Sequence, residues 1–183
     1  LATDPARFDV KKATAINADH IRMLEPQDFR DRLVPYLQAG GVLPESPSAA
    51  QLELVAAAAP LVQERVQVLG DVPGMLGFLF TDVVSYDDDA LKGLPANAAE
   101  VLVASVGALE LVPEQGFTAA AVQEALSGAL IGGLELKPRV AYGPPRVALS
   151  GRRVSPPLFE SMELLGKAAT LQRLGALVEF LSA

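Results

Sequence analysis

"SPSAAQLELVAAAAPLVQERVQVL", Ser46 to Leu69, decides the fold. Serines stand at its entrance, where a hydroxyl can accept from the first unpaired backbone N–H groups of a helix. Alanine and leucine then dominate, and nothing alternates apolar with polar residues as a half-buried strand does. The stretch predicts a helix running from the serines to about Gly70, bent at Pro60, where the ring removes a backbone donor. The same pattern extends in both directions. Upstream, "FDVKKATAINADHIRML" spaces Phe8, Ile16, Ile21 and Leu24 among polar residues. It predicts two short helices, near Val10 to Ile16 and Ala18 to Met23. "EPQDFRDRLVPYLQAGG" offers Pro26 for a first helical position, Phe29, Leu33 and Leu37 at four-residue spacing, and Gly40 and Gly41 as a stop.

Downstream, "DVPGMLGFLF" predicts one short helix with Asp71 as its cap and Pro73 in its first turn. "ANAAEVLVASVGALELV" and "TAAAVQEALSGALIGGL" are alanine-rich helices, the second capped by Thr118. "GPPRVALSG" predicts a short helix entered through Pro144 and Pro145 and closed by Gly151. "PPLFESMELLG" and "ATLQRLGALVEFL" complete the chain. The expected fold class is all-α, in two small consecutive helical bundles. Their seam is expected in "TDVVSYDDDALKGLP", which gives a first domain over 1–86 and a second over 87–183. The acid run in this seam carries no fixed metal-ligand spacing. It reads as a solvated linker that also caps the next helix.

Composition narrows the function. Among 183 residues there is no cysteine and a single histidine, His20. Disulfides, thiolate metal sites and His-cluster zinc sites are therefore excluded. The chain has no GxxxxGK[ST] phosphate loop, no GxGxxG and no paired-carboxylate motif. No catalytic, cofactor-binding or metal-binding residue is expected in it. The longest apolar run, Leu54 to Val62, contains Pro60 and is too short to span a bilayer. No secretory or transit segment is visible, and the opening "LATDPARFDV" reads as though cut from a longer polypeptide. A soluble cytoplasmic protein with no membrane partner is the expectation. The excess of arginine over lysine, ten to five, with abundant Ala, Val and Gly, points to a GC-rich bacterial genome.

Charge is unevenly spread. The chain carries a formal −7, an unusual balance for a nucleic-acid binder. From Lys137 onward, however, seven Lys/Arg face three Glu, a balance of +4. Before it, eight Lys/Arg face nineteen Asp/Glu, a balance of −11. The basic island centres on "GPPRVALSGRRVSPPLFESMELLGK", Gly143 to Lys167.

Three stretches together resemble one family, the bacterial glutamyl-tRNA synthetases. "FDVKKATAINADHIR" resembles the segment that follows their catalytic core. "PLVQERVQVLGDVPGMLGFLFTD" is similar to their next helix pair. "PPRVALSGRRVSPPLFESMELLGKAATLQRL" resembles the terminal signature, P-x-R-x-A-x-[ST]-G followed by Pro, L-F and L-L-G-K. The resemblance runs from Phe8 to about Leu181. It implies the anticodon-binding region of a class I glutamate–tRNA ligase, without the catalytic domain and inactive alone. The partners it implies are tRNA(Glu), with tRNA(Gln) as a second candidate, and an N-terminal catalytic domain in cis. ATP and magnesium are expected for the monomeric parent enzyme only.

By position in the motif, the resemblance assigns Arg146, Ser155, Pro156 and Leu158 to the first two anticodon bases. It assigns Arg65 to the third. These residue types suit the task, because splayed bases are read on their Watson–Crick edges and packed against flat or apolar side chains. A cytosine edge offers acceptors to an arginine, whereas a guanine edge presents donors. Arg65 can therefore favour glutamate anticodons, which end in C, over glutamine anticodons, which end in G. Arg152 and Arg153 are phosphate-contact candidates that the resemblance does not single out. The chain departs from the family pattern at His20, at the paired prolines of "GPPRV" and at Arg152-Arg153. The alternative from another class is an alanine-rich helical protein-interaction domain with no nucleic-acid role.

Overall fold

A computed structural model describes the backbone of residues 10–183 and the side chains from residue 17 onward. Among the described residues the regular structure is helical, with no strand. The contacts between Cα atoms divide the chain into one unit ending at Gly74 and another spanning Met75–Ala183.

The first unit holds α1 (Val10–Met23), α2 (Pro26–Ala39) and α3 (Ala49–Gln63). α1 is one continuous helix where two short ones were expected. Asn17, between them, is only a moderately poor helix former and does not break the run. Phe8, one of the expected apolar anchors, lies outside the described residues, as does the Ile16 side chain. Pro26 opens α2, and Phe29, Leu33 and Leu37 are fully buried on one face. That face packs against α3, which buries Val55, Ala58, Ala59 and Val62. Each large apolar side chain so buried contributes about 1.5–3 kcal/mol.

α3 begins with a reciprocal cap. Ser48 Oγ accepts from the Gln51 N–H at 3.1 Å, and Gln51 Oε1 accepts from the Ser48 N–H at 2.9 Å. The helix stops at Gln63, well short of Gly70. The Gln63 amide donates to the carbonyls of Ile21 and Leu24, at 3.0 and 2.8 Å. It thereby adds a donor to the Ile21 carbonyl, which also accepts from the Leu24 N–H at 3.2 Å, and one to the Leu24 carbonyl just beyond α1. The expected single helix over 71–80 is instead a 3-10 turn (Leu69–Asp71), α4 (Val72–Leu76) and a second 3-10 turn (Gly77–Phe80). Asp71 closes the first turn and directly precedes α4. Glycines at 70, 74 and 77 make a continuous helix there costly.

The second unit holds α5 (Asp88–Lys92), α6 (Ala98–Glu110), α7 (Ala119–Leu126), α8 (Pro138–Ser150), α9 (Leu158–Leu165) and α10 (Lys167–Ser182). α10 lies against α6 and α8, and α7 against α9. Leu102, Leu109, Leu126, Leu149, Met162 and Leu174 fill the core between them. Thr118 caps α7, accepting from the Ala121 N–H at 3.2 Å. Beyond Leu126 the helix widens into a π-helical stretch, Ser127–Gly133, rather than continuing as α. Lys167 Nζ donates to the carbonyls of Glu110 and Val112, at 2.8 and 2.6 Å. A cation is thus placed at the negative end of the α6 dipole, and the start of α10 is fixed.

Residues 86–90, where composition suggested a seam, lie inside this unit. The Tyr86 ring packs on Phe180 at a centroid distance of 5.0 Å. The Asp87 N–H donates to the Gly151 carbonyl at 2.8 Å, and Ala90 belongs to the core. The division by contacts therefore falls earlier in the chain than residue 86.

Candidate nucleic-acid interface

α8 carries the basic island, and its sequence explains its shape. It starts at Pro138, a proline at a first helical position, and not at Pro144 as the sequence suggested. Pro144 and Pro145 lie within it, although they withdraw the donors that the Val140 and Ala141 carbonyls would otherwise meet. Both rings are buried, and their packing offsets the lost bonds.

Arg146 is the next residue. Its Nη1 donates to Ser155 Oγ at 3.1 Å and reaches the Pro156 carbonyl at 3.5 Å. Ser155 Oγ in turn donates to the Pro156 carbonyl at 3.0 Å. The helix residue and the loop residues singled out from sequence are therefore joined by direct bonds. Ser155 and Pro156 are buried, and so is Leu158, which belongs to the unit's core.

The turn between Arg146 and Ser155 is fixed at several points. Ser150 Oγ donates to the Arg146 carbonyl at 2.9 Å and accepts from the Arg152 N–H at 3.1 Å. Gly151 ends α8 in the left-handed region, with φ 73°. A Cβ there would lie 1.9 Å from the Ser85 carbonyl oxygen, so only glycine fits. Arg173 in α10, almost fully buried, donates to the carbonyls of Phe78 (2.9 Å), Leu149 (2.7 Å) and Thr81. It ties the 78–81 segment to the C-terminal turn of α8, where a cation also opposes the helix dipole. Burial lowers the Arg173 pKa, while Asp82 and then Tyr86 act in the opposite sense. Burial raises the Tyr86 pKa, and Arg173 partly counters it.

Arg152 and Arg153, adjacent in sequence, go separate ways. Arg152 Nε pairs with Asp87 Oδ2 at 3.4 Å, with both side chains well exposed. Arg153 lines a cavity of about 460 Å³ together with Arg139, Arg146 and Tyr142, opposite the Gly93–Pro95 turn. Tyr142 stands perpendicular to Phe159, with centroids 5.2 Å apart. Arg139 and Tyr142 went unremarked in the sequence, because their role depends on the α5–α6 turn facing them. Arg173 left one signal: it falls on the buried stripe of α10, three residues after Thr170 and next to Leu174. Arg65 belongs to the first unit. It is exposed one turn beyond α3, its N–H donating to the Val62 carbonyl at 2.9 Å. Among the described residues its guanidinium makes no ion pair. Nor is any group of three or more His, Asp or Glu there placed to hold a metal ion.

The sequence model of the Anticodon binding domain matches residues 28–178. The chain belongs to this family. As an anticodon-binding domain it is set apart from the protein-interaction alternative. The glutamate–tRNA ligase of Leifsonia xyli subsp. xyli is 61% identical over 173 residues, covering 93% of this chain and 35% of that protein. The glutamate–tRNA ligase of Kineococcus radiotolerans is 60% identical, covering 93% and 34%. The chain thus spans about a third of the curated relatives it matches. A crystal structure of a glutamate tRNA ligase from Elizabethkingia meningosepticum, in complex with its amino acid, superposes with a TM-score of 0.72. It is 22% identical and covers 98% of this chain and 34% of that one, a likeness of fold. Within the anticodon-binding domain, Arg146 and its loop lie in the matched span, as does Arg65. No helix among the described residues is long and apolar enough to cross a membrane.

Proposed function

We propose that this anticodon-binding domain reads the anticodon of tRNA(Glu) as part of a glutamate–tRNA ligase. The observation that carries the reading is the bond from Arg146 to Ser155, which sets a planar donor group on the loop expected to grip the anticodon. A guanidinium oriented by its own protein loses less freedom when it meets a base edge. In this reading Arg146, Ser155, Pro156 and Leu158 serve the first two bases. The burial of Ser155, Pro156 and Leu158 makes Arg146 the principal base contact among them, with the other three shaping its seat. Arg65 serves the third base, and Arg152 and Arg153 meet phosphates. tRNA(Gln) is the second candidate partner. The parent enzyme would join glutamate to tRNA with ATP and magnesium on a catalytic domain in the same chain, acting as a cytoplasmic monomer.

A two-by-two titration tests the assignment, with wild type and Arg65→Gln against anticodons ending in C and in G, at several salt concentrations. Arg65→Gln is expected to weaken binding to the C-ending anticodon by about 1–3 kcal/mol, the worth of a good base contact, and to the G-ending one much less. The salt dependence should hardly change, since no phosphate contact is lost. Arg152→Ala should lower both affinities alike and flatten the salt slope by about one unit. Equal losses for both anticodons on Arg65→Gln would show that Arg65 reads no base.

A further inference from the structure

α6 turns one face into the core and leaves another uncovered among the described residues. Val101, Leu102, Ser105 and Leu109 are buried. At 3.6 residues per turn, Glu100, Val103, Gly107, Glu110 and Leu111 fall within about 100° of one another on the outer side. All five are exposed, Val103 at 58% and Leu111 at 85%. Gly107 stands in the middle of this face, and a Cβ there would meet nothing within 4 Å. A glycine inside a helix weakens it relative to alanine, and no neighbour in the fold requires one here. The charge of the region is one-sided. From Gly93 to Leu136 the chain carries five glutamates and no Lys, Arg or His. Glu100 and Glu110 lie on the face itself, and Glu114 follows in the next 3-10 turn. None of the three forms an ion pair among the described residues. Lys167 reaches this end of α6, but its ammonium is held by the Glu110 and Val112 carbonyls.

Exposed apolar side chains rimmed by unpaired charge of one sign mark a docking surface, and the sign selects what docks. RNA and anionic membranes are repelled by it. A second copy meeting it by two-fold symmetry would set Glu100 against Glu110 of the other chain. A basic partner meets neither obstacle, and the open glycine lets its backbone come close to α6 between Val103 and Leu111. We propose that this face docks a basic amphipathic helix of a second protein, with apolar side chains on Val103 and Leu111 and Lys or Arg on Glu100, Glu110 and Glu114. The face is about 16 Å long, about three helical turns, which suits a small, transient contact. The inference uses none of the residues assigned to the anticodon and is independent of that reading.

The test titrates the isotope-labelled 183-residue chain with an amphipathic helical peptide of leucine and lysine, about four turns long, and with its leucine–glutamate counterpart. Amide shifts are expected along α6 and through Glu114 with the lysine peptide, and none with the glutamate one. Val103→Ser and Leu111→Ser change exposed side chains and leave the fold alone. Each should weaken the lysine peptide about ten-fold, the low end for one buried aliphatic side chain. Changing Glu100, Glu110 and Glu114 together to Gln should remove most of the salt dependence. Gly107→Gln should raise the melting temperature by a few degrees, since the helix gains propensity, and still weaken the peptide. A glycine that served only the fold would not move the two in opposite directions. Wild-type affinity in both serine variants would overturn the proposal, as would shifts centred on the acid run at 87–89. Dimerisation that the serine variants abolish would overturn it in favour of a second copy. Loss of peptide binding when the same face is presented within the whole parent enzyme would assign the face to the rest of that enzyme, and overturn it too. Anticodon stem-loop affinity should not move in the serine variants, so a failure of the tRNA reading is distinct from a failure here.

Discussion

Replacing Gly151 with alanine probes a close backbone approach in the second unit. Three costs add. The left-handed φ of 73° penalises an L side chain by about 1–2 kcal/mol. The new Cβ would lie 1.9 Å from the Ser85 carbonyl oxygen and 2.8 Å from its carbon, so backbone must move, at about 1–3 kcal/mol. That movement strains the bond from the Asp87 N–H to the Gly151 carbonyl, worth about 0.5–1.5 kcal/mol. The expected loss is about 3–6 kcal/mol, a large share of a domain's stability. Urea unfolding followed by circular dichroism would measure it, and amide exchange at Asp87 would locate it. Gly41→Ala is the control. Gly41 has nearly the same φ, 75°, with nothing within 4 Å of a Cβ, so it carries only the dihedral cost of about 1–2 kcal/mol. Equal losses in the two variants would refute the contact with Ser85. So would wild-type protection of the Asp87 amide in Gly151→Ala.

Two further perturbations test the frame behind the basic loop. Arg173→Met would leave the carbonyls of Phe78, Leu149 and Thr81 without their donor. Thermal melts should report a loss of about 3–5 kcal/mol, with Arg173→Lys intermediate because one ammonium cannot span all three. A change no larger than that of a surface substitution, about 0.5 kcal/mol, would refute the assignment. Tyr86 gives a pH dependence. Burial raises its folded pKa above the ordinary 10.0, so the unfolded chain ionises first. Its contribution is whole below pH 10.0 and is lost as pH rises from there through the folded value. Tyr86→Phe should flatten the alkaline arm of a stability–pH curve; an unchanged arm would show that Tyr86 is not buried.

Local chemistry was legible in the sequence wherever it acts within a few residues. The Ser48 cap, the Thr118 cap, Pro26 at the start of α2 and the Phe29, Leu33, Leu37 face all depend on near neighbours, and all are present. What was misread depends on distant ones. α3 ends at Gln63, whose side chain bonds carbonyls at the end of α1, about forty residues earlier. α8 starts at Pro138 because the core accepts the Pro144 and Pro145 rings, where local rules would end a helix. The candidate site divides in the same way. Arg146 and Ser155 could be found from one contiguous motif, and they bond to each other. Arg139 and Tyr142 acquire a cavity only because the Gly93–Pro95 turn closes over them, and no local pattern records that.

The two consecutive arginines show how a charge pattern becomes a spatial one. In sequence, Arg152 and Arg153 are one basic spot, and the acid run at 87–89 is a separate linker. Folding brings the two stretches together: the Asp87 backbone bonds to Gly151 and its carboxylate pairs with Arg152. Arg153, one residue on, turns toward Gly93 and the cavity. The Arg152 pair is exposed on both sides, so it contributes about 0–1 kcal/mol, and a phosphate can displace the carboxylate at little cost. Asp87 therefore holds Arg152 at the loop without disabling it. In the proposed reading, the acidic remainder of the chain would repel RNA from elsewhere on the chain. A net charge of −7 is thus compatible with the proposed RNA binding, because a phosphate chain would respond to the local field at α8 and not to the net charge.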